Sequence, residues 1–475
     1  MRGLPKNRKQ IAFNRSARPG ISRRRFVQAS LASAPVHLIR QLEAADRKTI
    51  PWIVVGALTP TGAVVNAKLG RGTEEARLHL TDISQQETAP AVEPGQILED
   101  ARVAVFRLTG LQPGTRYSYS VEASGGEAES GRFRTPAEGP MSFRVGFASC
   151  ASTGSNHRVW DAIRDLGPNF FIHMGDFHYD NIDENEPRYF RSAFDRSLSS
   201  PRQGSCWRSV PLAYVWDDHD YGDDDSDGTS PSRPAALQVY QEYFPHYPLT
   251  QVEGRVRTIQ QSFTFGRVRF ILTDGRAERT PWKEEDGPLK TMLGLAQREW
   301  LAHQFEEAAR AEYPLVVWAN PVPWITWNAE GSEHGWEPYG WERRYLADKI
   351  RETGLVNRLL MLSGDAHMLG FDDGRNSNYA SNRLPGERAF PVFHAAPIDR
   401  FPRIKGGPYT GGTSPRKVML GWFPIQQFGF MEIEDKGQSL EVRITGRDRK
   451  GRPISGMALY LVCRDGRCEV LASMS

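Results

Sequence analysis

The sequence predicts a mixed α/β fold preceded by a small all-β domain, and three observations carry that expectation. Between residues 51 and 136, short alternating runs (WIVVGAL, GAVVNAKL, ARLHL, ARVAVFRLTGL, RYSYSVEA, GRFRTP) are separated by Gly, Pro and Thr turns. A period of two with frequent turns is the mark of half-buried antiparallel strands in a sandwich. From Met141 onward the pattern changes to apolar strands alternating with helical segments, as in a layered α/β sheet. Polar groups then repeatedly follow the carboxyl ends of those strands, where ligands bind in sheets of this kind.

Taken in order, SFRVGFAS reads as a strand that precedes Cys150, and VWDAIRDL as a short helix. NFFIHMGD is a strand ending on Asp176, and PLAYVW runs into Asp217. SFTFG and RVRFILTD form a hairpin that ends near Asp274. Leu295, Trp300, Leu301, Phe305 and Ala308 make a helical stripe that belongs to a core. PLVVWANP and a helix from about Tyr339 to Ile350 lead into RLLMLSGDAH, which carries Asp365 and His367. PVFHAAP, LEVRITG and ALYLV supply further strands that finish the sheets.

Composition narrows the function classes. The 475 residues, 25% charged and 39% hydrophobic, are long enough for two or three domains with a large core. The formal charge is +3, yet residues 1 to 34 hold nine Lys or Arg and no acid, so the remainder sums to +3 − 9 = −6. That balance argues against a basic nucleic-acid-binding body. No apolar stretch is long enough for a membrane span. The basic start contains Ser22-Arg23-Arg24-Arg25-Phe26-Val27-Gln28 and then a small-residue stretch through Ala32-Ser33-Ala34. It resembles a twin-arginine export signal, with a disordered basic tail as the alternative reading. The resemblance implies engagement of the twin-arginine export machinery and a periplasmic or secreted protein. The expected organisation is therefore 1–45 signal and linker, 46–138 β-domain, and 139–475 α/β domain. FRLTGLQPGTRYSYSV and GRFRTP within the β-domain resemble strands of a fibronectin type III module. Of four cysteines, Cys463 and Cys468 flank RDGR and could close a small hairpin loop in an oxidising compartment.

The chemistry concentrates in four motifs. PLAYVWDDHDYGDDDSDG, residues 211 to 228, takes an apolar strand straight into Asp217, Asp218, His219 and Asp220. Carboxylates and an imidazole this close are costly unless a cation or a network of partners neutralises them. The bland reading is a solvated acidic turn. The other three motifs are Phe147-Ala148-Ser149-Cys150, Gly175-Asp176-Phe177-His178-Tyr179 and Ser363-Gly364-Asp365-Ala366-His367. Each alone has an ordinary structural explanation, whereas four together at successive strand ends point to one metal centre. The run Asp223, Asp225, Asp227, Gly228 starts like an EF-hand loop, but the twelfth position is Pro234. It is expected to be an acidic loop at the site entrance.

With those residues in view, the chain resembles the alkaline phosphatase D (PhoD-like) family of calcineurin-like metallophosphoesterases. Leu293-Gly294 with Gln297, Trp300 and Leu301, the run GWEPYGWERR around Trp336 and Tyr339, and FILTDGRAER from Phe270 to Arg279 support it. The resemblance implies a two-sheet αββα sandwich. It makes Cys150, Asp176, Asp218, Asp365 and His367 metal ligands, with Asp176 bridging. A tyrosine ligand is also implied, and Tyr179 is chosen over Tyr189. His219 is the group expected to face the substrate, holding a phosphoryl oxygen or protonating the departing alkoxide. Arg276 and Arg279 are candidates to bind phosphate oxygens, with surface ion pairs the alternative. Asp217 and His178 are expected to support the ligands from behind. Gly275 and Glu278 depart from the Thr and Tyr common in relatives.

Hard carboxylates suit Ca²⁺, Mg²⁺ or Mn²⁺, while a thiolate prefers a transition metal. The resemblance implies Ca²⁺ with Fe³⁺; Mg²⁺, Mn²⁺ and Zn²⁺ stay open. The activity so implied is hydrolysis of phosphomonoesters by metal-activated water. Phosphodiesterase or phospholipase-type chemistry on the same site is the runner-up, and a secreted calcium-dependent binding protein the reading from another class.

Overall fold

The computed structural model describes residues 48–471 except 84, 86, 89–91, 93–94, 125–127, 327–334 and 413–425. The twin-arginine segment lies outside the described residues. From Asp46 the chain forms one compact unit.

Two large sheets make its body. Parallel strands covered on both faces read as near-continuous apolar runs, and Phe143–Ala148, Phe170–Met174 and Leu212–Val215 obey that rule, lying side by side in parallel. Antiparallel strands Gln427–Asp435, Leu440–Asp448, Pro453–Arg464 and Arg467–Leu471 extend that sheet on one side. In the second sheet, Val268–Leu272, Leu315–Asn320, Leu359–Ser363 and Val392–Ala395 run parallel, and Gln261–Phe265 closes one edge as a hairpin. The inner faces meet through an aromatic layer: Phe143 lies 4.8 Å from Phe265 and Phe170 5.1 Å from Phe270, between ring centroids. Helix Val159–Leu166 buries Val159, Trp160 and Ile163 and stops at Gly167, whose left-handed conformation returns its N–H to the Arg164 carbonyl. Trp160 packs on Trp207 of helix Pro201–Ser209, which in turn packs on Phe171. Helices Leu295–Arg310 and Gly340–Glu352 share a second core with strand residues Trp318 and Met361. The body is thus a two-sheet sandwich with helices outside.

The β-region ahead of this body is joined to it by backbone pairing. Ile53–Thr59 pairs parallel with Leu212–Val215, Gly56 facing Leu212, so Ile53–Thr59, Gly62–Lys68, Val103–Thr109 and Gln96–Leu98 continue the first sheet. Gly56 is needed there, because a Cβ would lie 2.4 Å from the Leu212 carbonyl oxygen. A four-stranded sheet that includes Ala76–Asp82, Arg116–Ala123 and Glu129–Arg134 completes the region. The boundary expected near residue 138 therefore crosses a continuous sheet and a single hydrophobic core. Cys463 and Cys468 form a disulfide across the last hairpin.

Candidate metal centre

Strand ends deliver the site. Cys150, Asp176, Asp217 with Asp218, and Asp365 each follow the carboxyl end of a parallel strand. Three of them turn abruptly: φ is +66° at Cys150, +56° at Asp176 and +65° at Asp365. Non-glycine residues pay for that conformation, and such strain concentrates at functional sites. The preceding Gly175, at φ +86°, lets the Asp176 turn fit, since a Cβ there would lie 2.3 Å from Cβ of Asp217.

The loops are stitched together. The Ala151 N–H donates to the Asp176 carbonyl at 2.8 Å, and the Asp365 N–H to Ser149 Oγ at 3.1 Å. Asp220 is the hub: its carboxylate accepts from the backbone N–H groups of Asp176 (3.1 Å), Phe177 (3.0 Å) and Asp217 (2.8 Å), and from the Tyr214 hydroxyl. Sequence reading offered Asp220 as a solvated turn residue at best; it is buried.

Donor atoms then gather in three groups among the described residues, each within 4.8 Å. Cys150, Asp176 and His367 form one; Asp176, Asp218 and His219 a second; Asp218, Asp224 and Asp225 a third. Asp176 belongs to the first two. The Tyr179 hydroxyl donates to Asp176 Oδ2 at 2.7 Å and lies 3.1 Å from His367 Nε2. His219 packs against Tyr179 with the rings tilted, centroids 4.1 Å apart, with Nδ1 2.6 Å from Asn181 Oδ1 and Nε2 3.4 Å from Asp224.

Electrostatics favour a cation. Burial, then the charges of Asp218, Asp220 and Asp365, push the Asp176 carboxyl well above its ordinary range. Burial, then Asp176 and Asp365, likewise push the Cys150 thiol up. Asp218 stays well below the usual carboxylate range, because Arg276, His219 and Lys405 outweigh its burial. Asp176 Oδ1 and Asp217 Oδ2 are buried without a hydrogen-bond partner, a cost that a bound ion or water would remove. Thiol, phenol, imidazole and carboxylate donors therefore fit metal ions.

Some expected residues stand elsewhere. Arg276 is 1% exposed, and its Nε donates to Asp217 Oδ1 at 2.5 Å while Nη2 lies 3.5 Å from Asp218. It holds those two carboxylates in place and does not face an open crevice. Arg279 is buried too, its Nε donating to the Tyr339 hydroxyl at 2.8 Å. Both corrections have one cause: the loop after Leu272 turns the arginines inward, toward acids and an aromatic ring. Asp365 presents Oδ1 to the Lys405 ammonium at 2.7 Å and is absent from the three donor groups. His178 is buried edge-on to Phe194, and burial lowers its pKa to about 3, so it is a neutral packing residue.

Sequence reading also missed Lys405 and Arg400, whose guanidinium lies 3.7 Å over the Tyr179 ring. The available signal was the polar run after PVFHAAP, another parallel strand end.

A family model described as PhoD-like phosphatase matches residues 144–444. Among solved structures the chain is similar to that of PhoD, at 15% identity over 90% of this chain and 93% of that one, with a TM-score of 0.69. It is also similar to purple acid phosphatase PPD1 from yellow lupin (Lupinus luteus) seeds, at 14% identity over 90% of this chain and 78% of that one, with a TM-score of 0.58. At these identities the likeness is one of fold. No curated protein sequence matches. Because the family model spans well over half of the chain, this protein belongs to the PhoD-like phosphatase family.

Proposed function

We propose that this metal-dependent phosphoesterase is exported by the twin-arginine route and hydrolyses phosphomonoesters at the centre built around Asp176. The observation that supports the reading is the sharing of Asp176 between the Cys150–His367 and Asp218–His219 donor groups. Cys150, Tyr179, His367 and Asp176 would hold a transition metal, for which Fe³⁺ suits thiolate and phenolate donors; Asp176 and Asp218 would offer carboxylate oxygens to an ion such as Ca²⁺. Bound there, the metals supply Lewis-acid stabilisation of phosphoryl charge and a water of lowered pKa. Asp365, fixed by Lys405, borders the same centre.

The chain's own residues do the rest. Tyr179, hydrogen-bonded to Asp176 Oδ2, would join it as a ligand in the phenolate form, its proton passing to solvent. His219 keeps its proton on Nδ1 through Asn181 Oδ1, which leaves Nε2 to carry a second proton toward the departing alkoxide. The Asp224 carboxylate lies 3.4 Å from Nε2. Arg276 keeps Asp217 and Asp218 aimed at the centre.

The test uses the purified, metal-loaded protein with nitrophenyl phosphate and bis(nitrophenyl) phosphate, alongside elemental analysis. Faster monoester turnover with bound iron and calcium is expected. Faster diester turnover would overturn the monoester assignment, and zinc alone the mixed centre.

A further inference from the structure

At the opposite end of the strands from the metal centre, a groove of about 590 Å³ is lined by four arginines, Arg116, Arg132, Arg134 and Arg144. The strand Phe170–Met174 separates the two places: Asn169 lines the groove at its amino end, and Asp176 follows its carboxyl end. Seven residues of extended chain span roughly 20 Å, so a group held in the groove cannot be the one cleaved.

Three facts set this groove apart from an ordinary arginine-bearing surface. Arg116 and Arg134 stand directly opposite each other on paired antiparallel strands. Like charges in that position oppose folding, and burial together with Arg116 depresses the Arg134 guanidinium. Arg132 lies two residues before Arg134 on the same face. Secondly, none of the four arginines makes an ion pair among the described residues; Arg134 donates its Nε to the Gly114 carbonyl at 2.9 Å. Thirdly, the groove's two acids are engaged by cations outside it. Glu432, across the strand pair from Arg144, lies 3.4 Å from Arg447 and 3.9 Å from Arg443, and Glu434 contacts Lys436. The groove is left with an excess of positive charge, four arginines against two carboxylates, beside the apolar surfaces of Ile83, Phe133 and Phe143.

We propose that this groove binds a short linear polyanion bearing sulfate or phosphate groups, independently of the metal centre. Directly opposed residues sit roughly 5 Å apart, and alternate residues along one strand roughly 7 Å. Arg116, Arg134 and Arg132 thus present guanidinium forks at the recurrence of charges along such a chain, and each fork takes an oxyanion in a bidentate manner. Neutralising the Arg116–Arg134 repulsion adds to the binding.

The test titrates the metal-loaded protein with a heparin-derived hexasaccharide, a probe that carries no phosphoester. The wild-type protein is expected to bind it, with affinity falling steeply as salt rises. The Arg116→Gln/Arg134→Gln double variant should bind at least tenfold more weakly, at unchanged nitrophenyl phosphate turnover and with a higher melting temperature. Arg132→Gln, at an exposed position, should weaken binding severalfold and guards against a folding defect in the double variant. A control, Arg310→Gln/Arg449→Gln, removes the same charge elsewhere and should leave binding intact. Absence of wild-type binding, equal weakening in the control, or preference for anionic phospholipid vesicles over the hexasaccharide each overturns the proposal.

Discussion

The carboxylate of Asp220 accepts the backbone N–H of Asp176 at 3.1 Å, so one buried acid fixes the orientation of the residue shared by two donor groups. Asp220 also takes the N–H groups of Phe177 and Asp217 and the Tyr214 hydroxyl. Asp220→Ala leaves four buried donors unsatisfied, at about 1–3 kcal/mol each before relaxation. The expected outcome is a destabilised protein with greatly reduced metal content, read by denaturant melts and elemental analysis. Wild-type metal content in a folded variant would show that Asp176 holds its orientation without Asp220.

Lys405 places its ammonium 2.7 Å from Asp365 inside the acidic cluster. Removing one member of a buried pair typically costs about 3–5 kcal/mol. Lys405→Met should therefore destabilise the metal-free protein most, and loading with metal should recover part of the loss by supplying positive charge nearby. Thermal melts of both forms test this; a loss that metal leaves unchanged contradicts it.

His219 as proton donor predicts a dependence on the leaving group. Nitrophenolate departs with little help, whereas an alkoxide needs a proton. His219→Ala should thus slow alkyl phosphates by about 10²–10⁴-fold and nitrophenyl phosphate far less. Equal losses on both substrates, with metal lost as well, would instead mark His219 as a ligand.

Glu342 gives a pH signature away from the centre. It is buried, and desolvation raises its pKa from 4.5 to about 7, against hydrogen bonds from Thr291 and the Met292 N–H. The folded protein therefore keeps a proton that the unfolded chain releases near pH 4.5. Its contribution to stability is complete below that pH, declines as pH rises, and is gone above about pH 7. The displacement corresponds to about 3 kcal/mol. Glu342→Gln, which does not titrate, should show a flatter stability profile between pH 4.5 and 7. Parallel profiles for the two proteins would refute the shift.

Much of the centre is legible in the sequence because strands covered on both faces are unmistakably apolar, and the residues just past their ends must turn. Cys150, Asp176, Asp218 and His367 stand out for that reason, and the fold brings them together. Orientation is harder to read. Arg276 and Arg279 look like phosphate binders in one dimension, but which way a loop side chain points depends on partners 59 and 60 residues away, Asp217 and Tyr339. Asp220 hides in plain sight, since a buried acceptor and a solvated turn acid share the same letter. Lys405 meets Asp365 across 40 residues, a pairing no local pattern encodes. The continuity of the first sheet rests on Gly56 meeting Leu212, and turn spacing alone makes that region look separate.

That continuity limits how the enzyme can be trimmed. Strand Leu212–Val215 leads directly into Asp217 and Asp218, and its outer neighbour is Ile53–Thr59. Excising the leading β-region would bare the backbone edge of the strand that feeds the centre. It would also strip Asp195 of Trp52 and Lys68, which hold it at 2.8 and 3.0 Å, and leave it only the Tyr243 hydroxyl among these three donors. An exposed apolar edge of this kind recruits other chains. A fragment beginning after residue 138 should accordingly aggregate instead of yielding a smaller phosphatase, and the leading strands are a structural wall of the enzyme.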